Sequence, residues 1–165
     1  MVDPAQVEIA AAYGARRWNE VRALFREYSD SLDFDLRFQD FEQELANVER
    51  IYSPPDGLLL LAELDGQTAG CVALRRSSGD TCEMKRLYLR PAFHGRGVGR
   101  LLAEAIIGEA RRVGYRTMRL DTVPSMSAAL SLYRSLGFVE IPAYYPNPVP
   151  GALYLELALD PTPGS

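Results

Sequence analysis

Apolar residues in this chain recur at two spacings, every second position and every third or fourth, and the alternation between the two lays out its elements. Residues 7–12 read as a short first strand, and residues 17–29 then set Val21, Leu24, Phe25 and Tyr28 on one helical face. Residues 38–48 repeat the helical pattern with Phe41, Leu45 and Val48. The acidic stretch between the two helices, with Asp30, Asp33, Asp35 and Asp40, reads as loop or helix ends. Ser53-Pro54-Pro55-Asp56-Gly57 breaks the chain. Behind it come an apolar run at 58–62, a turn at Asp65-Gly66 and a strand through 70–74. Ser77-Ser78-Gly79-Asp80 then turns into a strand that starts near Thr81, giving three consecutive antiparallel strands.

The second half changes rhythm. Residues 99–113 place Leu101, Leu102, Ala105, Ile106 and Ala110 on one helical face, with Gly114 positioned to end the helix. A strand at 117–122, a helix at 125–136, and strands at 137–141 and 153–159 follow, and the tail 161–165 should fray. An antiparallel meander followed by alternating strands and helices predicts an α/β fold: a mixed, mostly antiparallel central sheet with helices on both faces. The 165 residues suit a single domain over 1–160, large enough to bury roughly two-thirds of its unfolded surface without a disulfide or metal. The proline- and tyrosine-rich segment 141–151, IPAYYPNPVPG, reads as a stiff loop within that domain.

Charge narrows the function. The net charge of -4 divides into -8 over residues 1–66 and +4 over residues 67–165. An acidic chain without a basic cluster is a poor nonspecific binder of nucleic acid, whereas a local basic excess suits one polyphosphate ligand. The N-terminus lacks a basic region ahead of a long apolar run, and no stretch approaches the roughly 20 apolar residues that span a bilayer. The expectation is a soluble cytoplasmic protein with no membrane partner. Cys71 and Cys82 fall inside strands without metal-ligand spacing, and His94 is the single histidine. The cysteines read as small buried hydrophobes, and no metal site is expected.

The basic half also holds CEMKRLYLRPAFHGRGVG, residues 82–99, a strand running into a glycine loop directly ahead of a helix. Gly95, Gly97 and Gly99 alternate with Arg96, Val98 and Arg100. Backbone N–H groups at a helix start, with glycines that permit close approach and two guanidinium groups nearby, suit a pyrophosphate. The plain alternative is a glycine-rich helix entry with surface arginines. The dinucleotide fingerprint fails because the third glycine falls one place too early, and no Gly-Lys-Ser or Gly-Lys-Thr follows as a P-loop requires. In the preceding strand Cys82 and Met84 share one parity while Leu87 and Leu89 share the other. A β-bulge near Lys85, Arg86 and Leu87 would restore a common apolar face and free backbone groups for a ligand; a fully paired strand buried on both faces is the alternative.

Here the chain resembles the GNAT superfamily of N-acetyltransferases. Its signature of Gln or Arg, two residues, Gly, one residue, then Gly or Ala falls on His94-Gly95-Arg96-Gly97-Val98-Gly99. The resemblance runs from about Leu58 to Phe138 and includes Leu87-Tyr88-Leu89, Ala129-Leu130-Ser131-Leu132-Tyr133 and Leu136-Gly137-Phe138. It implies the acyl-CoA N-acyltransferase fold and acetyl-CoA as cosubstrate. The bulged strand would bond the pantetheine arm through Leu87, Tyr88 and Leu89, with Leu87 and Leu89 making the backbone bonds. His94, Gly95, Arg96, Gly97, Val98, Gly99 and Arg100 would hold the pyrophosphate, and the next two strands would splay to admit the cofactor. His94 replaces the usual Gln or Arg at a position that contributes chiefly through its backbone.

By the same resemblance, Tyr133 matches a tyrosine that lies near the cofactor sulfur. A phenol with pKa about 10 is protonated at neutral pH and can donate to a departing thiolate; the alternative is a ring packing beside Leu130 and Leu136. Glu83 matches a strand glutamate that serves as general base in the histone-modifying branch. An alkyl ammonium must lose a proton before it attacks, and Glu83 could accept it directly or through water; the alternative is an ordinary charged residue on an exposed strand face. Met126 stands where relatives commonly carry asparagine, with Ser125 and Ser127 beside it. The acceptor would be a small-molecule or peptide amine. Asp30, Asp33, Asp35 and Asp40, with Tyr144, Tyr145 and Asn147, would suit a cationic one. Relatives frequently form homodimers. The rival reading is a noncatalytic module that binds acyl-CoA.

Overall fold

The computed structural model describes residues 6–159, so the tail expected at 161–165 lies outside the described residues. Among those described, seven strands form one sheet: β1 (Val7–Ala11), β2 (Leu58–Leu64), β3 (Gln67–Ser78), β4 (Thr81–Leu89), β5 (Thr117–Thr122), β6 (Val139–Ile141) and β7 (Leu153–Ala158). Their order is β1-β2-β3-β4-β5-β7-β6, and every neighbouring pair is antiparallel except β4 with β5. The mixed, mostly antiparallel sheet is the one the sequence predicts. Helices α1 (Gly14–Ser31), α2 (Phe41–Ala46) and α3 (Val48–Ile51) cover one face; α4 (Val98–Val113) and α5 (Ser127–Ser135) cover the other.

Side-chain alternation along the strands builds a core on each face. Leu59, Leu61, Cys71 and Ala73 pack with Trp18, Val21, Leu24 and Phe25 of α1. Leu60, Ala62, Val72, Leu74, Cys82 and Met84 pack with Leu102, Ile106 and Ala110 of α4. A strand covered on both faces reads as an unbroken apolar run, which accounts for LLLLA at 58–62. Among the described residues no helix is long and apolar enough to cross a membrane.

The structure departs from the predicted elements at three places. The helix expected over 38–48 is broken into a 3-10 turn at Leu36–Gln39, then α2, then α3. Asp40 takes a left-handed φ of 55°, which interrupts the helix while still burying Phe41, Leu45 and Val48. The helix expected over 125–136 starts later, at Ser127, and the strand expected from 137 begins at Val139, because Gly137 turns the chain with φ 103°. The opening between strands lies between β4 itself and β5, rather than between the two strands after it.

That opening has a local cause. From Cys82 opposite Arg76 to Lys85 opposite Ala73 the β3–β4 register is regular, but Tyr88 then falls opposite Cys71, so β4 spends three steps where β3 spends two. Arg86 carries the irregularity with φ 59°. Leu87 and Leu89 consequently join Cys82 and Met84 on the α4 side, and Tyr88 packs on the α1 side, as the parity change predicts. A bulge sharpens strand twist, and β5 is held along its other edge by β7 over its whole length. β4 and β5 pair only where Thr81, Cys82 and Glu83 meet Thr117, Met118 and Arg119, and they diverge beyond.

Candidate active site

Three hollows follow the open edge of β4 and share walls. A groove of about 510 Å³ runs over Leu87, Tyr88, Leu89, His94, Gly95 and Gly99, and is closed on its far side by α5 residues that include Ala129 and Leu132. It meets a small cavity of about 40 Å³ at Tyr28, Leu87 and Met126. The small cavity, which also touches Thr122 and Tyr133, shares Gln39 and Lys85 with a larger cavity of about 730 Å³ on the α2–α3 side.

The groove joins an open strand edge to a helix N-terminus, an arrangement that can hold an extended chain ending in an anion. Beyond its short pairing with β5, the β5-facing edge of β4 has no strand partner among the described residues, so its peptide groups face the groove. At the groove's end Gly95 and Gly97 adopt φ 76° and 82°, conformations that glycine reaches without strain, and turn the chain into α4. The first intrahelical bond there is Leu101 N–H to the Gly97 carbonyl at 3.2 Å. The N–H groups of Val98, Gly99 and Arg100 precede it and are open to a ligand at the positive end of a sixteen-residue helix. These are the donors a diphosphate needs, and the groove has the depth and apolar floor that a pantetheine arm needs.

The side chains of the predicted loop do varied things. Val98 is buried in the core and offers only its backbone. Arg96 lies over the Phe93 ring at 5.9 Å, and Arg100 donates to Ser135 on α5. His94 bonds through Nε2 to the Leu89 carbonyl at 2.9 Å, so that nitrogen carries the proton and the ring ties the loop to the end of β4. Tyr88 turns away from the groove, and its hydroxyl donates to Glu27 at 3.4 Å. Ser125 and Ser127 line the groove on either side of Met126.

Tyr133 belongs both to the core and to a cavity wall. Its ring packs in the core, edge to face with Phe138 at 5.7 Å, while the residue also lines the small cavity. Burial first, then the nearby Tyr28 and Asp121, pushes its phenol above the ordinary tyrosine range, so it holds its proton at neutral pH. Glu83 is buried, not exposed, and lines the larger cavity. Arg75 reaches its Oε1 through Nε at 3.2 Å and Nη2 at 3.1 Å, and the Tyr144 hydroxyl donates to Oε2 at 3.2 Å. Both cysteine thiols are pushed up to about 12, chiefly by burial, and so are poor nucleophiles.

Gln39 and Glu44 gave no sequence signal, and neither did the bonds that join them to the other residues at this junction. Arg86, at the bulge, pairs with Glu44 of α2 and donates to Gln39 Oε1 at 2.8 Å. Gln39 Nε2 donates in turn to the Tyr145 hydroxyl at 2.9 Å, and Tyr145 to Asp121 of β5, which also accepts from Asn147 at 2.9 Å. This chain of bonds spans the mouth of the split sheet. Tyr144 and Tyr145 each meet Tyr154 edge to face, which gives the predicted stiff loop its anchor. Among the described residues Thr122 Oγ1 is buried without a hydrogen-bond partner, and it belongs to the wall of the small cavity. The acidic cluster is dispersed: Asp40 lines the larger cavity, while Asp33 and Asp35 line a separate hollow with Ser125 and Pro148.

A mixed sheet split beside a bulge, with a helix-capping glycine loop at the end of the split, is the architecture of acyl-CoA N-acyltransferases. Residues 18–138 match the Acetyltransferase (GNAT) family, and the chain belongs to it. An N-acetyltransferase of Schizosaccharomyces pombe, itself uncharacterized, is 39% identical over 161 residues, covering 96% of this chain and 99% of that protein. Two solved structures share the fold. A GNAT-family acetyltransferase of Staphylococcus aureus superposes with a TM-score of 0.77 at 19% identity, over 93% of this chain and 99% of its own. The PaiA N-acetyltransferase of Thermoplasma acidophilum, solved in complex with coenzyme A, gives 0.71 at 19% identity, over 92% and 98%.

Proposed function

We propose that the chain transfers the acetyl group of acetyl-CoA to an amine nitrogen in one direct step within a ternary complex. The observation that carries this reading is the continuity of the three hollows, with the bulge residue Arg86, its neighbour Leu87 and Tyr133 on the wall of the narrow middle one. When bound, acetyl-CoA supplies a thioester whose C–S bond breaks as the acceptor nitrogen bonds its carbonyl carbon.

The remaining steps belong to the protein. N–H groups from Gly95 to Arg100 hold the diphosphate, since that of His94 already donates to the Pro91 carbonyl at 3.2 Å, and the open edge at Leu87, Tyr88 and Leu89 aligns the pantetheine amides. A backbone N–H at the bulge polarises the thioester carbonyl. Tyr133 passes its proton to the departing sulfur. Glu83 takes up the proton lost by the amine, and it does so through water, because it lines the larger cavity while Tyr133 and Leu87 line the small one. No step requires a covalent acyl-cysteine, in keeping with two thiols that stay protonated.

Initial-rate measurements of thiol release from acetyl-CoA, across a panel of amines, test the reading. Intersecting double-reciprocal plots support a ternary complex. Parallel plots would indicate an acyl-enzyme. Binding of acetyl-CoA without thiol release from any amine would favour a noncatalytic acyl-CoA module.

A further inference from the structure

The wall of the larger cavity carries Arg50, Arg75, Arg76 and Lys85 against Asp40, Glu44 and Glu83. Most of these charges are already matched. Glu44 accepts two bonds from Arg86 and one from Tyr52; Glu83 is held by Arg75 and Tyr144; Arg76 reaches outward to Asp56 at 3.0 Å. Among the described residues, Lys85 and Arg50 have neither an ion pair nor a side-chain hydrogen bond, and Asp40 is the one carboxylate on this wall left without either. Subtracting the matched pairs leaves a cavity short of negative charge.

Lys85 is the residue that feels the shortage. It stands two positions after Glu83 on β4, partly buried, and it belongs to the walls of both the larger and the small cavity. Burial first, then the charges of Arg86 and Arg75, brings its ammonium down to about 8, and the already engaged Glu83 and Glu44 only partly offset this. Arg50 and Asp40 on the α2–α3 side, and Tyr144 and Tyr145 on the loop, complete the polar groups around it. A half-buried ammonium without a counterion is costly in proportion to the water it has lost, and a bound anion would relieve that cost.

We infer that the amine acceptor also carries a carboxylate, as an amino acid or short peptide does, and that Lys85 binds this carboxylate at the junction of the two cavities. The inference rests on the acetyl-transfer reading. It replaces the cationic acceptor expected from the acidic segment, since of the four aspartates in that segment only Asp40 lines this cavity. One molecule with both groups can be anchored by its carboxylate on Lys85 while its amine enters the narrow cavity beside Leu87 and Tyr133.

The test compares glycine, alanine, aspartate, glutamate and glycylglycine with their C-terminal carboxamides, using thiol release from acetyl-CoA. The carboxylates should be preferred by about 10- to 100-fold in kcat/KM, mostly through KM, as expected for a charge-assisted bond. Lys85→Met should reduce the preference to about twofold with acetyl-CoA affinity retained, and Lys85→Arg should restore part of it. Equal use of carboxamides, or a preference that survives Lys85→Met, overturns the inference while leaving acetyl transfer standing. Calorimetry with the N-acetyl amino acids and their carboxamides decides the same point without turnover: tighter binding of the carboxylates that is lost in Lys85→Met supports it, and equal binding overturns it. Neither thiol release nor heat with acetyl-CoA would count against the acetyl-transfer reading instead.

Discussion

Arg86 and Glu44 form a buried two-pronged ion pair, Nη2 to Oε1 at 2.5 Å and Nε to Oε2 at 3.0 Å, that fastens the bulge of β4 to α2. Burial pushes the Glu44 carboxyl up, but the hydrogen bonds and charge of Arg86 outweigh it and leave it below the usual carboxylate range. The guanidinium also lies near the Tyr28 and Phe41 rings, at 5.8 and 5.6 Å. A bulge with a non-glycine residue at φ 59° persists because the surroundings hold it there.

Removing one member of such a pair strands the other. Glu44→Ala should lose about 3–5 kcal/mol of unfolding free energy in urea, with acetyl-CoA affinity falling as the bulge relaxes. A loss below about 1 kcal/mol would mean that α2 does not hold the bulge.

Gly70 lies opposite Leu89, and a Cβ there would overlap the Tyr88 carbonyl and crowd the Leu89 side chain. Gly70→Ala should therefore displace the pantetheine edge and weaken acetyl-CoA binding in calorimetry. Gly108 in α4 has open space around the same position, and Gly108→Ala should instead raise stability by about 0.5–1 kcal/mol. Equal effects of the two substitutions would contradict this account of β4.

Tyr133 is assigned the proton that the departing sulfur receives. Tyr133→Phe keeps the packing against Phe138 and should slow turnover by roughly 10- to 1000-fold with little change in CoA affinity. Unchanged turnover would leave the ring with a packing role only.

Lys85 sets a pH dependence of stability. Its ammonium titrates near about 8 in the folded protein and near 10.5 when unfolded, so between these values the unfolded chain binds more protons and stability rises with pH. Lys85→Met should be more stable than the parent at pH 7, with the difference narrowing as pH climbs from about 8 to 10.5. A difference that is constant across this range would show that Lys85 is solvated.

Much of the site was legible because its signals are local. The parity change between Met84 and Leu87 located the bulge, and glycines alternating with Arg96, Val98 and Arg100 ahead of an amphipathic helix located the loop that turns the chain into α4. What stayed hidden depends on residues distant in the chain. Arg86 and Glu44 stand 42 positions apart, and neither residue type announces a buried partner. Glu83 reads as a candidate base beside the alternative of a surface charge, but its burial and its bonds to Arg75 and Tyr144 were not readable from the strand alone. The aspartates before α2 looked like one cluster, but Asp40, at the break between the 3-10 turn and α2, lines the larger cavity while Asp33 and Asp35 line another hollow. The alternation of β4 could have placed Lys85 on the same face as Glu83, two residues earlier; the absence of a counterion could be read only in three dimensions.

A crystal structure of the protein soaked with coenzyme A is the most direct measurement. The account predicts the diphosphate against the N–H groups between Gly95 and Arg100, with the pantetheine arm in the split between β4 and β5 and the sulfur beside Tyr133. Coenzyme A bound away from that loop, or lying outside the split sheet, would contradict it.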